Sequence, residues 1–147
     1  MTAAPDRDPF HLRRFVDAQA PVIGRVRTEL AAGRKQSHWM WFVFPQIAGL
    51  GSSAMSARYA IGGAGEARAY LAHPLLGARL IELTGVVNAL EAPTARAIFG
   101  SPDYLKFHSC MTLFAEVAKG EAVFARALER YFGGARDAAT LARLGDG

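Results

Sequence analysis

The chain reads as an all-α protein, a single compact multi-helix domain built around one central aromatic segment. Three observations lead there. Apolar residues recur three and four positions apart along almost the whole chain, the period of a helix face. Helix start and stop residues punctuate that pattern at Asp8-Pro9, Gly33, His73-Pro74, Gly100 and Gly133-Gly134. The one continuous apolar run, Trp39 to Phe44, has no second strand-like segment to pair with, so helix or irregular turns suit it better than strand.

The elements follow in order. Asp8 is an N-cap and Pro9 a first helical residue, with Phe10, Leu12, Phe15 and Val16 on one face. A second helix starts near Ala20-Pro21, buries Val22, Val26 and Leu30, and stops at Gly33. The aromatic segment comes next. Ile47 to Met55, rich in Gly and Ser, reads as a loop; it lacks the Gly-Lys-Ser/Thr of a phosphate-binding Walker loop. Gly62, Gly63 and Gly65 turn the chain into a helix through Glu66, Ala67, Tyr70 and Leu71, which His73-Pro74 ends. Pro74 opens the next helix, with Leu75, Leu76, Leu80, Leu83, Val86, Val87 and Leu90 inward. A short helix from Thr94 to Phe99 stops at Gly100, and Ser101-Pro102-Asp103 caps and starts a helix through Leu105, Met111, Leu113, Phe114 and Val117. Glu121 to Phe132 is a further helix, and Asp137 to Leu144 adds a frayed turn. No repeat or linker divides the 147 residues, so one domain spans 1–147 with an ordered core at about 8–132.

Composition narrows the function classes. At 51% hydrophobic and 20% charged the chain is globular. Its one cysteine, Cys110, rules out an internal disulfide and a cysteine-based zinc site. The first ten residues lack the apolar stretch of a signal peptide, and no run reaches a membrane span of about 18 residues. A cytoplasmic location, away from membranes, is the expectation. The net charge of +4 favours anionic partners, but the basic residues are scattered among acidic ones, and groups such as Arg34-Lys35 suit a solvated face. With no nucleic-acid-binding motif, dedicated binding to nucleic acid is disfavoured.

The chemistry-bearing residues are those that interrupt the apolar segments. Ser37 to Gln46 holds both tryptophans, with His38 at one end and Gln46 at the other. Lys106, His108, Ser109 and Thr112 sit among Phe107, Met111 and Phe114, and three- and four-residue spacing lets Lys106, Ser109 and Cys110 share a face. Asp103 precedes Lys106 by three. A lysine there, beside an open helix N-terminus at Ser101 to Asp103, suits an anion. The structural readings are equally concrete: His38 as a core histidine, Ser101 and Asp103 as caps, Ser109 and Thr112 as small packing residues, and Lys106 as a snorkelling side chain. Cys110 has no base placed beside it. The four histidines show no metal-ligand spacing, so no metal and no cofactor is expected.

Asp8-Pro9-Phe10, Phe15 to Gln19 and above all Ser37 to Gln46 resemble the bacterial family known as domain of unknown function 1810. Arg58 to Ile61, Glu66 to Gly77, Ile98 to Asp103, Lys106 and Met111 to Phe114 continue the resemblance, which runs from about Asp8 to Phe132. Cys110 departs from it, where a second serine after Ser109 is expected. The resemblance implies a small, mostly helical fold without an established activity. Some relatives carry the label calpastatin, which suits a disordered inhibitor and not a chain with this aromatic core. A distant similarity links Leu80 to Leu90, Phe99-Gly100 and Met111 to Phe114 to proteins that process NAD- and ADP-ribose-related compounds and cleave N-glycosidic bonds.

Two functions from different classes follow. In one, the protein binds a nucleotide-like or phosphorylated small ligand: Trp39 or Trp41 stacks on the base, Gln46 and Ser109 help hold the ligand, Lys106 and a helix N-terminus hold phosphate, and His38 or Asp103 moves a proton. Hydrolysis of a glycosidic bond needs a carboxylate, for which Asp103, Glu66 and Glu82 are candidates. In the other, the aromatic segment is core and the protein is a non-catalytic interaction or structural module. Convergence of His38, Gln46, Asp103, Lys106 and Ser109 on one cleft separates the two.

Overall fold

The computed structural model describes residues 8–92 and 94–146, so Met1 to Arg7 of the expected 1–147 domain lie outside the described residues. The fold is all-α, a compact packing of helices without a strand among the described residues. The helices are α1 (Arg13–Gln19), α2 (Ile23–Ala31), α3 (Met40–Val43), α4 (Ala54–Arg58), α5 (Ala64–Ala72), α6 (Leu76–Ala89), α7 (Ala95–Phe99), α8 (Asp103–Val117), α9 (Ala122–Phe132) and α10 (Ala138–Asp146).

The long helix α8 is the central post, packed against α5, α7, α9 and α10. Its residues 109–115 are all buried, which is why its apolar residues form no clean stripe. Two ladders of rings meet on it. One runs Phe42–Tyr59–Phe15–Tyr70–Phe114–Phe124, with neighbouring centroids 5.1–5.8 Å apart. The other joins Trp39 to Phe44 and Phe44 to Phe99 and Phe107, the last two stacked at 4.5 Å. The aromatic segment therefore feeds both ladders. It is a single helical turn with irregular flanks, and its one extended contact is an isolated parallel bridge between Ile47 and Ile61.

Several boundaries differ from the sequence expectation. α1 begins at Arg13 rather than Pro9, because His11 turns the chain at a φ of 52°. The Asp8 carboxylate still caps it, accepting from the N–H groups of Leu12 and Arg13 at 2.7 and 3.0 Å. Met55 belongs to α4, not to the preceding loop. Leu75 is 37% exposed because it precedes the first turn of α6, whose register begins at Leu76. Leu105 lies on the outer face of α8 and is exposed. Ser101 and Asp103 do not cap α8 through their side chains; the N-cap is Pro102. The helical packing also runs past the boundary expected at Phe132. Asp137 accepts from the N–H and hydroxyl of Thr140 and from the Ser109 hydroxyl, while its own N–H donates to Thr112. That polar knot docks α10 on α8, where Thr140 is fully buried.

Buried polar groups fix the remaining geometry. Gln19 donates to the Phe42 carbonyl and the Tyr70 hydroxyl and accepts from Arg79, joining α1, α3, α5 and α6. The Glu29 carboxylate, on the last turn of α2, accepts from the N–H groups of Gln36 and Ser37, the Ser37 hydroxyl and the Trp39 indole N–H. Trp39 is completely buried, and an indole N–H left without a partner there costs about 1–3 kcal/mol. Glu29 supplies the partner. Burial pushes its carboxyl up, but the four donors outweigh that and hold it at about 2, below an ordinary 4.5.

Two outcomes follow for stability. The folded-state pKa of Glu29 is depressed, so its contribution is complete above about pH 4.5 and disappears as the pH falls toward about 2. Glu29→Gln is expected to lose about 2–3 kcal/mol at neutral pH, roughly 5–10 °C in Tm. Its melting temperature should converge on that of the unmodified chain in acid, and parallel pH profiles would contradict this. At Gly77, an added Cβ would come within 1.9 Å of the Leu71 carbonyl oxygen, where α6 passes α5. Gly77→Ala is therefore expected to cost about 1–3 kcal/mol by overpacking, although alanine is the better helix former. A thermal melt showing equal or higher stability would mean that the two helices can part there at no cost.

Candidate functional site

The Glu29 knot shapes the segment from Gln36 to Trp39, and the Lys35 N–H donates to the Ile98 carbonyl at 2.7 Å, tying the same segment to α7. Across from it, Gly100 at a φ of 76° ends α7 and delivers the chain into α8. Between the two lies a cleft of about 290 Å³ lined by Lys35, His38, Met40, Trp41, Ser101, Pro102, Asp103 and Lys106. Four of the residues singled out in the sequence, His38, Trp41, Asp103 and Lys106, meet there. His38 is exposed at the cleft and Trp41 half-buried.

The charges are arranged around one carboxylate. Asp103 holds Lys35 at 2.8 Å through one oxygen and Lys106 at 3.4 Å through the other. The Lys35 side chain is only 6% exposed. Its ammonium also donates to the Ser37 carbonyl and lies 5.1 Å from the Trp39 ring centroid. Lys106 is freer, with 21% of its side chain exposed, and its ammonium lies 4.9 Å from the Trp41 centroid. Two ammonium groups against one carboxylate leave the cleft positive. The start of α8 adds little to that. Pro102 has no N–H, and the N–H groups of Tyr104 and Leu105 already donate to Gly100 and Pro102. The positive charge of the cleft rests mainly on the lysines.

Three of the candidate residues lie elsewhere. Trp39 has no exposed surface, and its ring and N–H are engaged by Phe44 and Glu29, so it has no face to offer a base. Ser109 is buried against α10, bonded to Leu105 and Asp137. Three- and four-residue spacing did not bring Lys106, Ser109 and Cys110 together, because each helical turn carries the chain about 5.4 Å along the axis, here out of the cleft and into the core. Cys110 is fully buried, and burial raises its thiol well above the ordinary value. Gln46 lines a second hollow of about 220 Å³ with Tyr59 and the glycine-containing loop 47–51. Trp41 lines both hollows.

The other carboxylate candidates are committed to arginines. Glu66 pairs with Arg14 at 2.8 Å and accepts from the Gly62 N–H, and Arg14 also donates to the carbonyls of Phe10, His11, Arg58 and Ala60. Glu82 pairs with Arg27 on the α2–α6 surface, and that arginine lowers its pKa. Of the three, only Asp103 lines the cleft. Among the described residues no group of three or more His, Cys, Asp or Glu side chains is placed to hold a metal ion, and no helix is long and apolar enough to cross a membrane.

Sequence reading missed two residues. Lys35 belongs to a basic pair expected on a solvated face, yet it is the more deeply held of the two cleft lysines. Glu29 lies three residues after Val26 on the buried stripe of α2, at the helix end that disfavours negative charge. An acidic residue in that position, just ahead of a tryptophan block, is the signal that could have found it.

A solved structure places the fold among known proteins. The conserved hypothetical protein Rv1873 from Mycobacterium tuberculosis is 54% identical, with a TM-score of 0.92 over 94% of this chain and 99% of that one. No curated protein matches the chain. The family model described as "Protein of unknown function (DUF1810)" matches residues 9–144. With the tryptophan block, the α7–α8 turn and every helix but the last two residues of α10 inside that match, the chain belongs to the DUF1810 family.

Proposed function

We propose that the cleft between the aromatic segment and the start of α8 binds a small phosphorylated, nucleotide-like ligand. The observation that carries this reading is the meeting of Lys35 and Lys106 on the single carboxylate of Asp103, beside the half-buried indole of Trp41. Lys35 is fixed by three partners and presents its ammonium at a set position. Lys106 is held at longer range and can turn from Asp103 toward an incoming phosphate oxygen. Trp41, not Trp39, is the aromatic wall. His38, exposed at the mouth of the cleft, is the imidazole placed there and so the candidate for moving a proton. If a glycosidic bond is cleaved in this cleft, Asp103 is the carboxylate to act on it.

Thermal melts of the purified chain against inorganic phosphate, sugar phosphates, nucleotides, NAD and ADP-ribose test the reading. Ligand at 100 times its Kd stabilises the native state by about 2.7 kcal/mol. Lys106→Ala, which removes a partly exposed side chain, is expected to fold and to weaken binding about tenfold or more, and added salt should weaken it further. Absence of a shift with all of these compounds would favour the non-catalytic interaction module.

A further inference from the structure

The hollow on the other flank of Trp41 contains groups that the fold itself does not use. Among the described residues, the Gln46 amide, the Tyr59 hydroxyl and the Trp41 indole N–H have no hydrogen-bond partner, and the Ser56 hydroxyl accepts from Ser53 without donating. The Tyr59 ring and the Gln46 backbone are nevertheless fixed in place. Tyr59 is packed against Phe15 and Phe42 at 5.8 and 5.3 Å, and the backbone of Gln46 is tied to Ile61. The opposite wall is a loop brought close by glycines. At Gly49, where φ is 96°, a Cβ would meet the Arg143 guanidinium at 2.6 Å, and at Gly51 it would meet the Ser56 hydroxyl at 2.4 Å. Arg143 donates to the Gly49 carbonyl, so α10 holds this loop in place.

An amide that both donates and accepts, two hydroxyls and two aromatic side chains in 220 Å³ suit a flat ring with a hydrogen-bonding edge. The lysine cleft adjoins this hollow at Trp41. Resting on the reading of that cleft as a phosphate site, we infer that the ligand is a nucleoside phosphate whose base occupies the Gln46–Tyr59 hollow while its phosphate reaches Lys35 and Lys106. Gln46 reads the edge of the base, and Trp41 is the wall shared by its two halves.

Isothermal titration of the full chain with the common nucleoside 5′-monophosphates and with ribose 5-phosphate separates the two claims. At least one nucleotide is expected to bind tenfold or more tightly than ribose 5-phosphate. Gln46→Ala should remove that advantage while leaving the affinity for ribose 5-phosphate unchanged. Tyr59→Phe, which deletes only a hydroxyl, should reduce it in the same direction. Lys106→Ala should weaken all of the compounds together. Equal binding of nucleotides and ribose 5-phosphate, or a nucleotide preference untouched by both hollow variants, overturns the base subsite and leaves the phosphate cleft standing. Failure of every compound to bind overturns both.

Discussion

Glu29 is a carboxylate on the last turn of a helix, where the helix dipole opposes its charge, and it is 8% exposed. Four hydrogen-bond donors converge on it from three residues of one short segment, Gln36, Ser37 and Trp39. Each part depends on another. Without the donors the buried charge is costly; without the carboxylate the indole N–H of a fully buried tryptophan has nowhere to go. The knot therefore fixes the path of the chain between α2 and α3, and with it the inward placement of Trp39 against Phe44.

From that path the division of labour between the two tryptophans is a matter of geometry. Trp39 turns inward onto Phe44, while Trp41, two residues further into α3, stays half-buried between two hollows. The same backbone carries Lys35 under the Trp39 ring and toward Asp103. A scaffold interaction thus places both a wall and a charge of the cleft, so the rigidity the core needs is also the rigidity a binding site needs.

Much of the fold was legible because it is written in local terms. Gly33, Gly100 and Gly133 end helices where a left-handed residue was expected, with φ values of 76°, 76° and 62°. His73-Pro74 breaks α5 from α6 as the pre-proline restriction requires. The residues that came together in the cleft came from two segments already marked by polar interruptions of apolar sequence. What stayed hidden depends on contacts distant in sequence. Ser109 looked like a partner of Lys106 because helical spacing says nothing about which neighbour a face meets; α10, whose docking rests on Asp137 and Thr140, claims it. The two tryptophans of one block are indistinguishable until Glu29 selects between them. Gly77 carries no sign of its constraint in sequence, since the Leu71 carbonyl it avoids belongs to a different helix.

The charge balance of the cleft shows the same linkage between fold and site. A lysine as enclosed as Lys35 requires a compensating anion, and Asp103 supplies it together with the Ser37 carbonyl. That requirement places a carboxylate in a cleft otherwise suited to anions, which alone would weaken its attraction. Lys106, one helical turn beyond Asp103 and resting on Trp41, tips the balance to positive. Its longer contact with Asp103 and greater exposure leave it the more available of the two cations. The inner lysine is thus held by the fold and the outer one left more open to solvent, with a single aspartate joining them.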